Sequence, residues 1–254
     1  MRNEKHNEKV AFITGANRGL GFETARELGE LGTRVIIGSR DAKKGEEAAA
    51  KLRKQGIDAE TLSFDVNNAR DHQKAYDYLA EKYGRLDILV NNAGVWKEGE
   101  PVSPTSAPKP ASAVSPEILR ETFDTNFFAT VALTQKLLPL IRKAPAGRIV
   151  NVSSILGSLT LQADPASPVY SFKAFAYDAS KAALNAFTIH LAHELRDTKI
   201  KVNSAHPGWV KTDMGGPTAT MEVSEGGKTS AQLATVPEDG PNGGFFHLGQ
   251  RVPW

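Results

Sequence analysis

Val10-Ala11-Phe12-Ile13-Thr14 runs directly into Gly15-Ala16-Asn17-Arg18-Gly19-Leu20-Gly21. The first five residues are apolar or β-branched without alternation, the mark of a strand buried on both faces. A glycine turn follows, then a helical pattern through about Leu31. Glycines at these positions permit a tight turn, let the backbone approach a pyrophosphate, and allow close packing of helix on strand. The helix N-terminus adds free N–H groups and a partial positive charge. A plain strand-to-helix turn also favours glycine. The placement of this one at the end of the first strand is what points to a nucleotide.

The same rhythm continues along the chain. Strands are predicted at Arg34 to Gly38, Glu60 to Phe64, Leu86 to Val90, Arg148 to Val152 and Ile200 to Ser204, with helices at Ala42 to Gln55, Asn68 to Tyr83, Pro116 to Arg142 and Ala174 to Arg196. Apolar strands alternating with helices predict an α/β fold: a doubly wound parallel sheet flanked by helices, with right-handed crossovers. Three irregular stretches interrupt it, at about 95–115, 155–173 and 211–228. The first is a proline-rich surface loop, and the last reads as a mobile flap because of Gly215, Gly216, Gly226 and Gly227. All three follow the carboxyl ends of strands, where open α/β sheets bind ligands. No repeat or linker divides the chain, so residues 1–254 are read as one dinucleotide-binding and catalytic domain.

Composition narrows the function classes. Lys and Arg number 31 against 29 Asp and Glu, a formal charge of +2, which disfavours nucleic acid and anionic membrane as partners. The absence of cysteine excludes disulfides, thiolate catalysis and Cys-ligated metals. His190 and His193 lie three apart but lack a third ligand, so no metal is expected. No apolar run approaches the ~20 residues that span a bilayer, and the polar start MRNEKHNEK shows no signal peptide. A cytoplasmic protein is expected.

The spacing of Gly15, Gly19 and Gly21 after Thr14 resembles the short-chain dehydrogenase/reductase family. Asp65-Val66, Asn91-Asn92-Ala93-Gly94, Asn126, Ser154, Tyr177-x-x-x-Lys181, and Pro207-Gly208 with Thr212 follow in the family's order over nearly the whole chain. Within the family, the runs Arg120 to Phe128 and Pro207 to Met214 are similar to the carbonyl reductase group. The resemblance implies a Rossmann-type fold. It also implies a cofactor site made by Gly15, Asn17, Arg18, Gly19, Leu20, Gly21, Ser39, Arg40, Asp65, Val66, Asn91, Ala93, Gly94, Tyr177, Lys181, Pro207, Gly208, Val210 and Thr212.

NAD-preferring members carry an acid at the end of the second strand, where a 2′-phosphate is repelled. This chain has Ser39-Arg40 there, with Arg18 opposite; guanidinium forks match phosphate geometry. Asp41 is the competing acid, read instead as the cap of the next helix. NADP(H) is the expected cofactor.

Tyr177 and Lys181 are one helical turn apart and share a face. Carbonyl reduction needs a hydride on carbon and a proton on oxygen, and a phenol with a neighbouring ammonium suits the second task. The resemblance gives Tyr177 that role, Lys181 a bond to the nicotinamide ribose, Ser154 polarisation of the carbonyl, and Asn126 a water in a proton relay with Lys181. Ser153 is the reserve serine. Tyr170 and Lys173 lack the one-turn partner spacing.

The implied activity is NADPH-dependent reduction of a ketone or aldehyde, reversible to alcohol oxidation. A 3-oxoacyl-thioester reductase shares every catalytic residue, and a non-catalytic NADP-sensing protein is the alternative of another class. The stretch between Ser154 and Tyr177 is longer than in simpler members of the family and shorter than in animal carbonyl reductases, whose insertion there goes with monomers. A monomer is favoured over a homo-oligomer.

Overall fold

A computed structural model describes residues 8–99 and 108–254; residues 100–107 of the proline-rich loop and the first seven residues lie outside them. Eight strands form one sheet: β1 Val10–Thr14, β2 Arg34–Ser39, β3 Ala59–Ser63, β4 Ile88–Asn91, β5 Arg148–Val152, β6 Lys201–Ala205, β7 Phe245–His247 and β8 Gln250–Arg251. Their order is β3-β2-β1-β4-β5-β6-β7-β8, parallel except for β8. The connection reverses direction between β1 and β4, so a crevice opens at the carboxyl ends of these two strands.

Period-two alternation divides the apolar residues of each strand between two cores. On one face Phe12, Leu89 and Ile149 pack with Leu133 and Leu137 of α5 (Ala129–Ile141). On the other, Ile13, Ile37 and Val90 pack with Ala25 and Leu28 of α1 (Gly19–Glu30) and Leu52 of α2 (Ala42–Lys54). Asp41 does cap α2, its Oδ1 accepting from the Lys44 N–H at 3.1 Å. The remaining major helices are α3 (Ala69–Tyr83), α4 (Pro116–Phe123) and α7 (Phe175–Glu194).

The structure departs from the sequence expectation in four places. The helix expected from Pro116 to Arg142 is interrupted between α4 and α5 by a π-turn at Asp124–Phe128, with Asn126 at its centre. Such bulges gather at functional sites. The stretch 155–173 holds a 3₁₀ turn, Ile155–Gly157, and a short α6, Leu159–Ala163, tied to the C-terminus by the Thr160 N–H to the Trp254 carbonyl at 2.8 Å. The expected flap contains a short helix, α8 (Val223–Gly226), and runs into α9 (Lys228–Ala234). Gly226 and Gly227 serve close packing on α1: a Cβ on Gly226 would stand 2.2 Å from Leu20 Cδ2, and one on Gly227 2.7 Å from the Glu23 backbone. Finally, β7 and β8 extend the sheet through a two-residue turn with positive φ at both Leu248 and Gly249. No helix among the described residues is long and apolar enough to cross a membrane.

Candidate active site

Two adjoining cavities occupy the carboxyl edge of the sheet. The longer, about 850 Å³, begins at Gly15, Asn17 and Arg18, passes Ser39 and Arg40, and is walled by Asp65, Val66, Ala93 and Gly94. The second, about 420 Å³, holds Ser154, Tyr177 and Lys181, with Leu20, Pro207, Gly208, Val210 and Thr212 along one side. Gly94 and Asn92 line both, so the two spaces meet beside β4.

The turn after β1 fits a pyrophosphate. Gly15 and Gly19 have φ of +64° and +56°, the left-handed region in which a side chain is strained. Thr14 Oγ1 accepts from the backbone N–H groups of Asn92 and Ala93 at 3.0 and 2.9 Å, locking this turn to the end of β4. Gly21 lies under the turn rather than on the cavity wall; a Cβ there would stand 2.5 Å from Asn92 Nδ2 and 2.8 Å from the Gly15 carbonyl. Gly21→Ala is therefore expected to cost about 1–3 kcal/mol by overpacking and to weaken dinucleotide binding. Denaturant unfolding with and without cofactor checks this, and an unchanged midpoint contradicts it.

At the far end the donors suit an anion. Arg40 is exposed at the cleft, Ser39 Oγ donates to the Asp41 carbonyl at 2.8 Å, and the Asp41 carboxylate is turned to its capping duty. Lys44, one turn into α2, also lines the cavity and was not singled out from the sequence. Its signal was its place one turn after the capping Asp41. Arg18 lines the same cavity as Arg40 and is paired with Asp213. Both side chains are more than 70 % exposed, so the pair is worth ~0–1 kcal/mol and yields readily to a phosphate. Three cations with no carboxylate on β2 itself fit a 2′-phosphate better than a free ribose hydroxyl. Asp65 shapes the adjoining wall, its Oδ1 accepting from Asn67 N–H at 3.0 Å.

Asn91 departs from its expected role. Its amide points into the sheet, donating to Asn151 Oδ1 at 2.8 Å and Thr134 Oγ1 at 2.9 Å, and its neighbour Asn92 lines the cavities instead.

The chemical end is built on β5 and α7. Ser153 Oγ turns back toward the Lys181 carbonyl, 3.5 Å away, whereas Ser154 stands beside the Tyr177 hydroxyl and accepts from the Leu156 N–H at 3.2 Å. Lys181 donates to the Val152 carbonyl at 2.8 Å, and its Nζ stands 5.6 Å from the Tyr177 ring centre. Burial pulls this lysine down to about 8, at which the ammonium still predominates at neutral pH. The tyrosine differs from expectation. Burial pushes its pKa up, Ser154 opposes that shift, and Asp178 adds to it. Desolvation governs Tyr177, and it is held as the protonated phenol. Asp178 is itself pushed up to about 7 by burial and the charge of Glu98, against the lowering effect of the Ala174 N–H.

Asn126 is 1 % exposed and works through its amide. Its Oδ1 accepts from the Val95 N–H at 2.8 Å, and its Nδ2 donates to the Val95 carbonyl and Ser180 Oγ, both at 3.0 Å. Its side chain thus binds Val95 and Ser180 directly, and its Oδ1 and Lys181 Nζ both lie beside Gly94. Tyr170 is 43 % exposed beneath Lys173 and lines neither cavity, although its neighbours Val169 and Ser171 line the second. Among the described residues, no group of three or more His, Cys, Asp or Glu side chains is placed to hold a metal ion.

The model of the short chain dehydrogenase family matches residues 9–223. Mouse (Mus musculus) carbonyl reductase 1, an NADPH enzyme by name, is 32 % identical over 96 % of this chain and 98 % of its own length. Among solved structures, the Drosophila melanogaster carbonyl reductase Sniffer superposes with a TM-score of 0.79 at 31 % identity, covering 98 % of this chain and 100 % of that one. The NADPH-bound carbonyl reductase from chicken fatty liver gives 0.81 at 26 % identity, covering 97 % and 99 %. With the family match over residues 9–223 and 32 % identity to a relative over 96 % of this sequence, the chain belongs to the short-chain dehydrogenase family.

Proposed function

We propose that Tyr177, Ser154 and Lys181 carry out NADPH-dependent reduction of a ketone or aldehyde in the 420 Å³ cavity, with the dinucleotide along the 850 Å³ cleft. The chain is an NADP(H)-dependent short-chain oxidoreductase of the carbonyl reductase type. The observation carrying the residue roles is that Ser154, Tyr177 and Lys181 line one cavity, with Lys181 Nζ beside Gly94, which lines both cavities. When bound, the nicotinamide supplies the hydride. Tyr177, buried and protonated, gives its proton to the carbonyl oxygen, and Ser154 donates to the same oxygen as negative charge develops. Lys181 fixes the cofactor ribose and supports the phenolate that remains. Phe172, Trp209 and Met214 give the pocket an apolar lining for the substrate. The stretch 155–173 packs on the start of α7, with Gln162 Nε2 donating to Asp178 Oδ2 at 3.1 Å, and a monomer is the state this reading carries.

The purified chain is expected to consume NADPH on addition of simple ketones and aldehydes, and to use NADH far less efficiently. Equal efficiency with both dinucleotides counts against the reading of Arg18, Ser39 and Arg40.

A further inference from the structure

The helix that carries Tyr177 has no N-cap side chain, although its own Asp178 accepts from the Ala174 N–H at 3.0 Å. The residue at its N-cap is Ala174, which has no side-chain acceptor, so the N–H groups of the first turn need partners from elsewhere. Tyr177 is the third residue of α7, the position whose N–H an N-cap serine or aspartate ordinarily binds. Here that N–H donates to Glu98 Oε2 at 2.8 Å, across 79 residues of sequence. The other carboxylate oxygen, Oε1, is buried and meets no partner among the described residues. A half-buried carboxylate is costly to hold, and the bond to Tyr177 at the positive end of a helix offsets that cost.

The loop bearing Glu98 meets Tyr177 a second time, because the Trp96 ring centre lies 5.1 Å from that of Tyr177. The same loop is anchored at Val95, whose N–H and C=O both bind the Asn126 amide. Asn126 also donates to Ser180 Oγ, which in turn donates to the Tyr177 carbonyl at 2.7 Å. Tyr177 is thus held at its N–H by Glu98 and at its C=O by Ser180, and both supports lead back to Asn126.

We infer that Glu98 is a positioning residue for the reaction: an external cap that fixes the backbone of Tyr177, working in a closed frame with Ser180 and Asn126. The inference rests on the reading of Tyr177 as proton donor. It assigns Asn126 to the mechanical support of that tyrosine. A proton donor must keep its oxygen within hydrogen-bond reach of the reacting carbonyl, and a small displacement costs rate without costing cofactor affinity.

The test uses the full chain with NADPH, labelled with ¹⁵N-tyrosine so that amide exchange is read at Tyr177, one of five tyrosines. Glu98→Ala is expected to speed exchange of the Tyr177 amide and lower kcat, each by about tenfold or more, with substrate KM and NADPH Kd within about twofold of the parent. Glu98→Gln retains an acceptor oxygen and is expected to restore both readings to within about threefold. An unchanged Tyr177 exchange rate in Glu98→Ala overturns the inference. So does a parallel loss of kcat and NADPH affinity, or a glutamine variant no better than alanine. If the unmutated chain reduces no carbonyl, the reading of function fails, while the exchange rates still decide whether Glu98 holds Tyr177.

Discussion

Tyr177→Phe is expected to lower kcat for carbonyl reduction by roughly 10²-fold or more, the scale of a lost general acid, while NADPH binding stays nearly intact. The substitution removes one oxygen from a ring buried beside Ser154 and leaves Lys181 bonded to the Val152 carbonyl. The frame around the residue also survives, since Glu98 and Ser180 hold its backbone rather than its hydroxyl. Tyr170→Phe is the matched control. That ring is partly exposed under Lys173 and lines neither cavity, so its loss is expected to change substrate affinity at most. Steady-state kinetics with both variants and an NADPH titration by fluorescence check the pair. Turnover lost in Tyr170→Phe and kept in Tyr177→Phe overturns the placement of the active site.

The second large effect is expected at Arg40→Asp. Losing a charge-assisted bond to the 2′-phosphate costs about 1.5–3 kcal/mol, or roughly 10- to 100-fold in NADPH efficiency. The new carboxylate adds repulsion toward that phosphate and offers the ribose hydroxyl of NADH an acceptor. The ratio of kcat/KM for NADPH to that for NADH is therefore expected to fall by about 10²-fold or more. Because Arg40 is exposed at the end of β2, away from the packed core, thermal stability is expected to remain within about 0.5 kcal/mol of the parent. An unchanged cofactor ratio contradicts the assignment and shifts the burden to Arg18 and Lys44, which line the same cavity.

Much of this arrangement is legible in the residues. Val10 to Thr14 reads as a buried strand because both of its faces meet a core, and the glycines after it read as a phosphate turn because two of them adopt positive φ. Tyr177 and Lys181 share a wall because helical spacing places them there. The π-turn at Asp124–Phe128 is hidden, since one extra residue in a turn leaves the apolar pattern around it intact. Strand β7 has three residues, too few for any period to show. Asn91 and Asn92 are adjacent in sequence and face opposite ways, and only the sheet register decides which one lines the cavities. Contacts between distant segments are the hardest to read. Arg18 with Asp213 and Glu98 with Tyr177 join residues that no local pattern relates.

The state of Tyr177 shows a further limit. Spacing suggests that Lys181 lowers its pKa, yet in the folded chain burial dominates and raises it. For reduction this is an advantage, because the acid form is the one required. Desolvation depends on everything packed around the phenol, Trp96 included, and no spacing rule encodes it.

The central claim is that this chain turns over a carbonyl at the expense of NADPH, with Tyr177 as proton donor. The most direct measurement quantifies the alcohol formed against NADPH consumed, for the unmutated chain and Tyr177→Phe under identical conditions. The account predicts one alcohol per NADPH in the unmutated chain and near-complete loss of both signals in the variant. Tight NADPH binding with no alcohol from any ketone or aldehyde, or equal alcohol formation by the variant, contradicts it.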